Sequence, residues 1–560
     1  MQEVIKKAIT DALKSLNIEG VDFVVDHPTD IHMDADYFSN VAMAAAKIAG
    51  EAPRTIAQQL SAALQGKIDL VDSIEVAGPG FLNFNLNRVF FTTKIKEALE
   101  MGDNWGQNNQ CESQTVLIEY TSPNLFKPLH IGNLVGNIIG ESLSRLFEFS
   151  GAEVKRINYP SDIGLTVAKA VWGLQKTGGN PEDIEALGVA YRTGSEAYEN
   201  DESDKAEIIA VNQALYTGED VALMELRAKG IATSRAKLAA ICAKLGTSFD
   251  TEIFESEVDD KGVEIVHSNI DGVFEKSDGA VVYRGEKAGL HTRVFINSKG
   301  LPTYEAKDLG NFVTKQSQFP NWDTSIVVTG NEQTEYFKVL YAAINELYPD
   351  TVKKNLEHIP TGFLTLTTGK MSSRKGGVLT GESLLAEMET AATERAAETR
   401  AEDVEQLAEE IAVAALKYQI LRQQVGSDMV FDKEKSLSFE GDSGPYLQYT
   451  HARISSVLKK AVEESVSGDT TIVPPAPYQI EKLLYQFPTA VTESIENRSP
   501  HKLVHYLTEL AGEFNSFYAH EKIADKDDEF APYKVAITEL VQITLKNGLW
   551  MLGCEAPEQM

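Results

Sequence analysis

Glu119–Gly140 reads EYTSPNLFKPLHIGNLVGNIIG, and this stretch decides the fold. The apolar run Val116–Tyr120 predicts a short strand, Ser122-Pro123-Asn124 a turn, and His130-Ile131-Gly132-Asn133 the start of a helix reaching about Phe149. A strand feeding a helix through a Pro-punctuated loop presents free N–H groups where an anion can sit. His130 can donate to a phosphate oxygen, and Lys127 adds a mobile positive charge. Gly132, Gly136 and Gly140 form one smooth stripe that lets a flat ligand or another backbone come close. Taken alone, a helix-packing stripe with an incidental histidine explains these residues equally well.

Working outward, Val154–Tyr159, Ser325–Thr329 and Phe363–Leu366 are further strand candidates separated by helical periodicity. That alternation predicts a doubly wound, Rossmann-type parallel sheet. Residues 181–250 are acidic and mostly helical in pattern, which suits an insertion, assigned to about 181–290. The first hundred residues predict a separate α/β domain, with helices over Val4–Leu16 and Ala42–Leu64 and strands near Phe23–Val25 and Phe81–Leu86. Beyond Glu382 strand signals nearly vanish, leaving helices over 382–465 and 478–552. The expected domains are therefore 1–105 (α/β), 111–380 (the α/β core), 381–440 (a helical connector) and 441–560 (all-α).

Composition narrows the class. The 560 residues carry 83 acidic and 52 basic side chains, a net −31, so a protein that coats nucleic acid over its whole surface is excluded. A hydrophobic content of 43% can bury several cores, so disorder is excluded too. Cys111, Cys242 and Cys554 stand far apart and supply neither a disulfide framework nor a structural zinc site. The opening residues predict an amphipathic helix rather than a secretory leader, and no long apolar run predicts a membrane span, so a cytoplasmic location is expected. Against the acidic background, residues 351–380 hold five cations and one carboxylate. Within them Gly369-Lys370-Met371-Ser372-Ser373-Arg374-Lys375-Gly376-Gly377 is a flexible basic loop able to close over a triphosphate.

These elements resemble a known family. HIGN at 130–133 is similar to the HIGH element of class I aminoacyl-tRNA synthetases, and KMSSRK at 370–375 to their KMSKS loop. SPNLFKPLHIGN resembles the corresponding stretch of arginyl-tRNA synthetases. So do GPGFLNFNL (78–86), TYEAKDLGN (303–311), FDKEKSLSFEGDSGPYLQYTHARI (431–454) and GLWMLGCEAPEQM (548–560). The resemblance implies ligation of L-arginine to its tRNA through an arginyl-adenylate, with ATP and Mg²⁺. It implies that Lys127, His130, Lys370 and Arg374 carry catalysis, and that His130, Gly132, Asn133, Lys370, Met371 and Ser372 hold ATP. Asn124, Tyr304, Asp308 and Gln333 would hold arginine. Tyr304 and Asp308 are four apart and share a helix face, and a carboxylate can receive a guanidinium through a forked pair that lysine cannot mimic.

The sequence departs from the family at two places. Asn133 replaces the second histidine of HIGH, keeping a donor and an acceptor without charge. Ser373 replaces the second lysine of KMSKS; the resemblance implies that Lys127, the lysine before HIGH, covers that loss. Asp162, in NYPSDIG, reads as a capping residue or a substrate contact; His451 reads as structural, and Tyr446, Tyr449 and Tyr518 could stack on bases. A monomer that needs tRNA before it activates arginine is expected. The alternatives are a non-catalytic relative binding arginine or tRNA, which would want a ruined triphosphate site, and a class I ligase for another amino acid. For cysteine, the latter would want zinc ligands that the isolated cysteines do not supply.

Overall fold

The computed structural model describes residues 1–28, 33, 35–367, 380–397, 399, 401 and 403–560. The chain divides into two compact units, one of 1–106, 450–489 and 506–547, the other of 107–449, 490–505 and 548–560.

The second unit is built on five parallel strands: β1 (Thr115–Glu119), β2 (Glu153–Asn158), β3 (Thr251–Glu252), β4 (Thr324–Gly330) and β5 (Asn355–Thr361). They lie in the order β5-β4-β1-β2-β3. Val116 pairs with Thr324 on one side and with Val154 on the other. Strand order reverses between β1 and β4, which makes their carboxyl ends the crevice of a doubly wound sheet. The helix α1 (Ile131–Phe149) follows β1 and is buried along nearly its whole length, consistent with its apolar residues lying all round the axis. Gly140 leaves room for the Tyr120 ring, since a Cβ there would stand 2.3 Å from it, and Gly136 faces the Val328 carbonyl of β4. Of the three stripe glycines, only Gly140 is required by close packing, since a Cβ at Gly136 would make an ordinary contact at 3.7 Å.

Residues 184–244 form three helices, Ile184–Asn200, Glu202–Thr217 and α2 (Val221–Lys244). After that the expectation of helix to about 290 holds only in part. From β3 the chain makes α3 (Glu255–Ser268) and an antiparallel ribbon of Phe274–Ser277, Ala280–Tyr283 and Arg293–Ile296. Next come α4 (Tyr304–Gln318) before β4 and α5 (Thr334–Leu347) after it. Phe363–Leu366 is not a strand of the main sheet. β5 ends at Thr361, the Phe363 N–H goes to Asp428, and Leu364–Leu366 pairs in parallel with Met429–Phe431. Those last three residues are too short a run within GSDMVFDKE to signal a strand from sequence.

The first unit holds a four-stranded antiparallel sheet of Val25–Asp26, Tyr37–Ser39, Phe81–Leu86 and Val71–Ala77, in that spatial order. The single helix expected over 42–64 is two, Val41–Ala49 and Pro53–Leu64. Gly50 takes a left-handed φ of 69°, and Pro53 starts a new helix where its missing N–H costs nothing. Ile5, Ile9, Ile56, Leu60, Leu82 and Phe84 are fully buried between these helices and the sheet. Arg88 pairs with buried Glu481, which also accepts the Tyr533 hydroxyl at 2.6 Å, so the helical segments belong to the same core.

Candidate active site

His130 caps α1: its Nδ1 accepts the Gly132 N–H at 3.1 Å. Burial lowers its pKa, the charge of Lys127 lowers it further, and Glu332 opposes. The ring is thus neutral at pH 7, and with Nδ1 accepting, the proton sits on Nε2 as a donor. Lys127 is half-buried, with Nζ 5.9 Å over the Tyr191 ring; burial lowers its pKa. Among the described residues it has no carboxylate partner. Asn133 donates to the Thr121 carbonyl at 2.7 Å, tying the start of α1 to the exit of β1.

The loop between β1 and α1 carries unusual backbone. Thr121, Ser122 and Phe126 have φ of 73°, 39° and 68°, each costing on the order of 1 kcal/mol unless the surroundings hold it. Ser122 N–H goes to Asn158, and Leu125 N–H and Ser161 N–H exchange bonds with Ser161 and Pro123. This fixes Asn124 beside the end of β2, where it lines a crevice with Lys127, Leu129, Lys237 and Glu382.

A second cluster forms where α3, α4 and α5 meet. Tyr304, the first residue of α4, is 61% exposed, so its ring is available to a ligand; Asp308 lies one turn on. The Asp308 carboxyl accepts the Tyr336 hydroxyl from α5. Burial pushes its pKa up to about 8, with Glu119 and Glu255 adding and the Tyr336 bond and Lys315 opposing. The neighbouring buried carboxylates each own a cation: Lys315 is 2.8 Å from Glu119, and Lys307 is 2.6 Å from Glu255. Asp308 has none among the described residues, and the buried Tyr159 hydroxyl has no hydrogen-bond partner. A half-buried acid with a hydroxyl donor and no counter-ion among the described residues is suited to an incoming cation. α3 and α4 cross closely because glycines meet carbonyls: Gly262 faces the Ala306 oxygen, and Gly310 the Val258 oxygen.

Gln333 is exposed at the end of the turn Asn331–Gln333, three residues before Tyr336. Lys370, Met371, Ser372 and Arg374 lie outside the described residues. Asp162 is fully engaged: Arg227 binds its carboxylate at 2.5 Å, and Ser256 gives it both N–H (3.0 Å) and hydroxyl (2.6 Å). It caps α3, accepting three donors on its two carboxylate oxygens. His451 is buried in Gly444–Glu463; Tyr518 is 45% exposed with the Arg453 guanidinium 5.8 Å over its ring. The sequence reading missed Tyr336 and the lysine partners of Glu119 and Glu255. Among the described residues no cluster of three or more His, Cys, Asp or Glu could hold a metal. Nor is any helix long and apolar enough to cross a membrane.

Comparison with known proteins finds matches along the whole chain. Residues 94–433 match the class I (R) tRNA synthetase catalytic domain, 447–560 the DALR anticodon binding domain, and 3–86 the arginyl tRNA synthetase N terminal domain. The arginine–tRNA ligase of Borrelia hermsii is 31% identical over 86% of this chain and 86% of its own length. That of Clostridium perfringens is 30% identical over 99% of this chain and all of its own. The Thermus thermophilus arginyl-tRNA synthetase structure superposes with a TM-score of 0.79 at 24% identity, covering both chains completely. The chain belongs to the arginyl-tRNA synthetases of class I.

Proposed function

We propose that the protein ligates L-arginine to its tRNA in two steps. The arginine carboxylate attacks the α-phosphate of ATP, forming the adenylate and releasing pyrophosphate. A ribose hydroxyl of the tRNA 3′ adenosine then attacks the activated carbonyl, and AMP leaves. Neither step needs a protein nucleophile, so positioning and charge stabilisation suffice. Lys127, His130, Gly132 and Asn133 hold the triphosphate with Lys370, Met371, Ser372 and Arg374, and Mg²⁺ arrives with ATP. Asp308 takes the guanidinium, Tyr304 covers it, and Asn124 and Gln333 hold the amino and carboxylate groups. The N-terminal residues 3–86 and the helices of 447–560 contact the tRNA, and the enzyme works as a cytoplasmic monomer.

The observation that carries this reading is Asp308: half-buried, hydroxyl-bonded and without a cation among the described residues. Asp308→Asn removes the charge-assisted pair, a change of about 1.5–3 kcal/mol, or roughly 10- to 100-fold in arginine KM. ATP KM should stay within a factor of about two. An unchanged arginine KM would remove Asp308 from the pocket.

A further inference from the structure

α2, in the insertion, reaches the β1–α1 loop through one face. Arg227, Gly230 and Ser234 lie three and four residues apart and so are neighbours on the helix surface. A buried serine inside a helix commonly turns back to its own preceding carbonyl. Ser234, 7% exposed, instead accepts the Phe126 N–H at 3.0 Å, from a residue 108 positions away. One turn earlier, Gly230 leaves the space for the Phe126 ring, because a Cβ there would stand 2.1 Å from it. Phe126 is fully buried and has a φ of 68°, a conformation an aromatic residue holds only when its surroundings force it. Arg227, on the same face, binds the Asp162 carbonyl at 2.9 Å after β2. One helix thus grips the exits of both β1 and β2.

The residue after Phe126 is Lys127, and the backbone at Phe126 sets where Lys127 leaves the loop. We propose that Ser234 and Gly230 are positioning residues that act through Phe126 to aim Lys127 at the triphosphate. This rests on the role given to Lys127 above. The insertion is then more than a decoration of the sheet: it holds in place the cation that covers for the missing lysine of the 370–375 loop.

The test is ATP–pyrophosphate exchange by the full chain with arginine and tRNA, on Ser234→Ala, Gly230→Ala and Lys127→Ala alone and in pairs. Because residues that act as one unit are non-additive, Ser234→Ala should lower kcat about tenfold in the parent and less than about twofold in the Lys127→Ala background. Arginine KM should move less than kcat does, since Asp308 and Tyr336 are untouched and only Asn124 shares the loop with Phe126. Gly230→Ala, which keeps the hydroxyl, should show the same non-additivity, and Ser234→Thr, which keeps the acceptor, should recover most of the rate. A general folding defect would instead multiply the Lys127→Ala loss, and that additive result overturns the coupling alone. Lys127→Ala without any loss overturns both the role of Lys127 and the coupling.

Discussion

In the proposed arginine pocket, Asp308 is the side chain to which amino-acid selection is assigned. A guanidinium offers a planar fork of N–H donors and a lysine ammonium does not, so a carboxylate held by Tyr336 discriminates by geometry as well as charge. Its acidity gives a signed prediction. With a pKa of about 8 in the free pocket, Asp308 is protonated at neutral pH, yet the guanidinium requires the carboxylate. Arginine binding must therefore expel a proton below pH 8. Affinity should rise with pH, by up to about tenfold per unit, and level off once pH passes the free-pocket value. Isothermal titration from pH 6 to 8.5 in buffers of different ionisation enthalpy checks this, and Asp308→Asn should flatten the slope. The Tyr304/Asp308 pair and the HIGN tetrapeptide were legible because their members sit within a few residues. The Lys315–Glu119 ion pair spans 196 positions, and Tyr336 reaches Asp308 from the next helix, so neither leaves a local pattern.

Helix packing sets the shape of the proposed arginine site. Gly262 and Gly310 bring α3 and α4 together and so place Glu255 against Lys307, leaving Asp308 as the acid without a cation among the described residues. In Gly310→Ala the new Cβ would stand 2.1 Å from the Val258 carbonyl, so the helices must part. Overpacking of this kind costs about 1–3 kcal/mol. A lower urea midpoint together with a raised arginine KM is expected; an unchanged KM would detach the crossing from the pocket. At this scale the sequence reading recovered β1, α1, β2 and β4, whose apolar runs are long or whose periodicity is clean. It missed β3, only two residues long, and put Phe363–Leu366 in the wrong sheet, because pairing depends on Gly362 and Asp428 rather than on apolar pattern. It ran two helices together across Gly50 and Pro53, where an alanine-rich stretch hid the break.

Over the whole molecule, the net −31 repels polyanions in general, while in the proposed site local cations such as Lys127 would admit one phosphate group at one place. The first unit joins chain segments hundreds of residues apart through Arg88, Glu481 and Tyr533. Glu481→Ala would leave Arg88 without its counter-charge in the interior and the Tyr533 hydroxyl without an acceptor. A loss of about 3 kcal/mol is expected in urea unfolding, whereas a loss below about 1 kcal/mol would show that the network adds little beyond packing. The proposed activity draws on the whole chain: a phosphate-binding helix start, an acid pocket and segments that meet the tRNA. ATP–pyrophosphate exchange, measured with arginine in the presence and absence of its tRNA, tests this most directly. Exchange that depends on arginine and is much faster with tRNA is the predicted result; no exchange under either condition would contradict it.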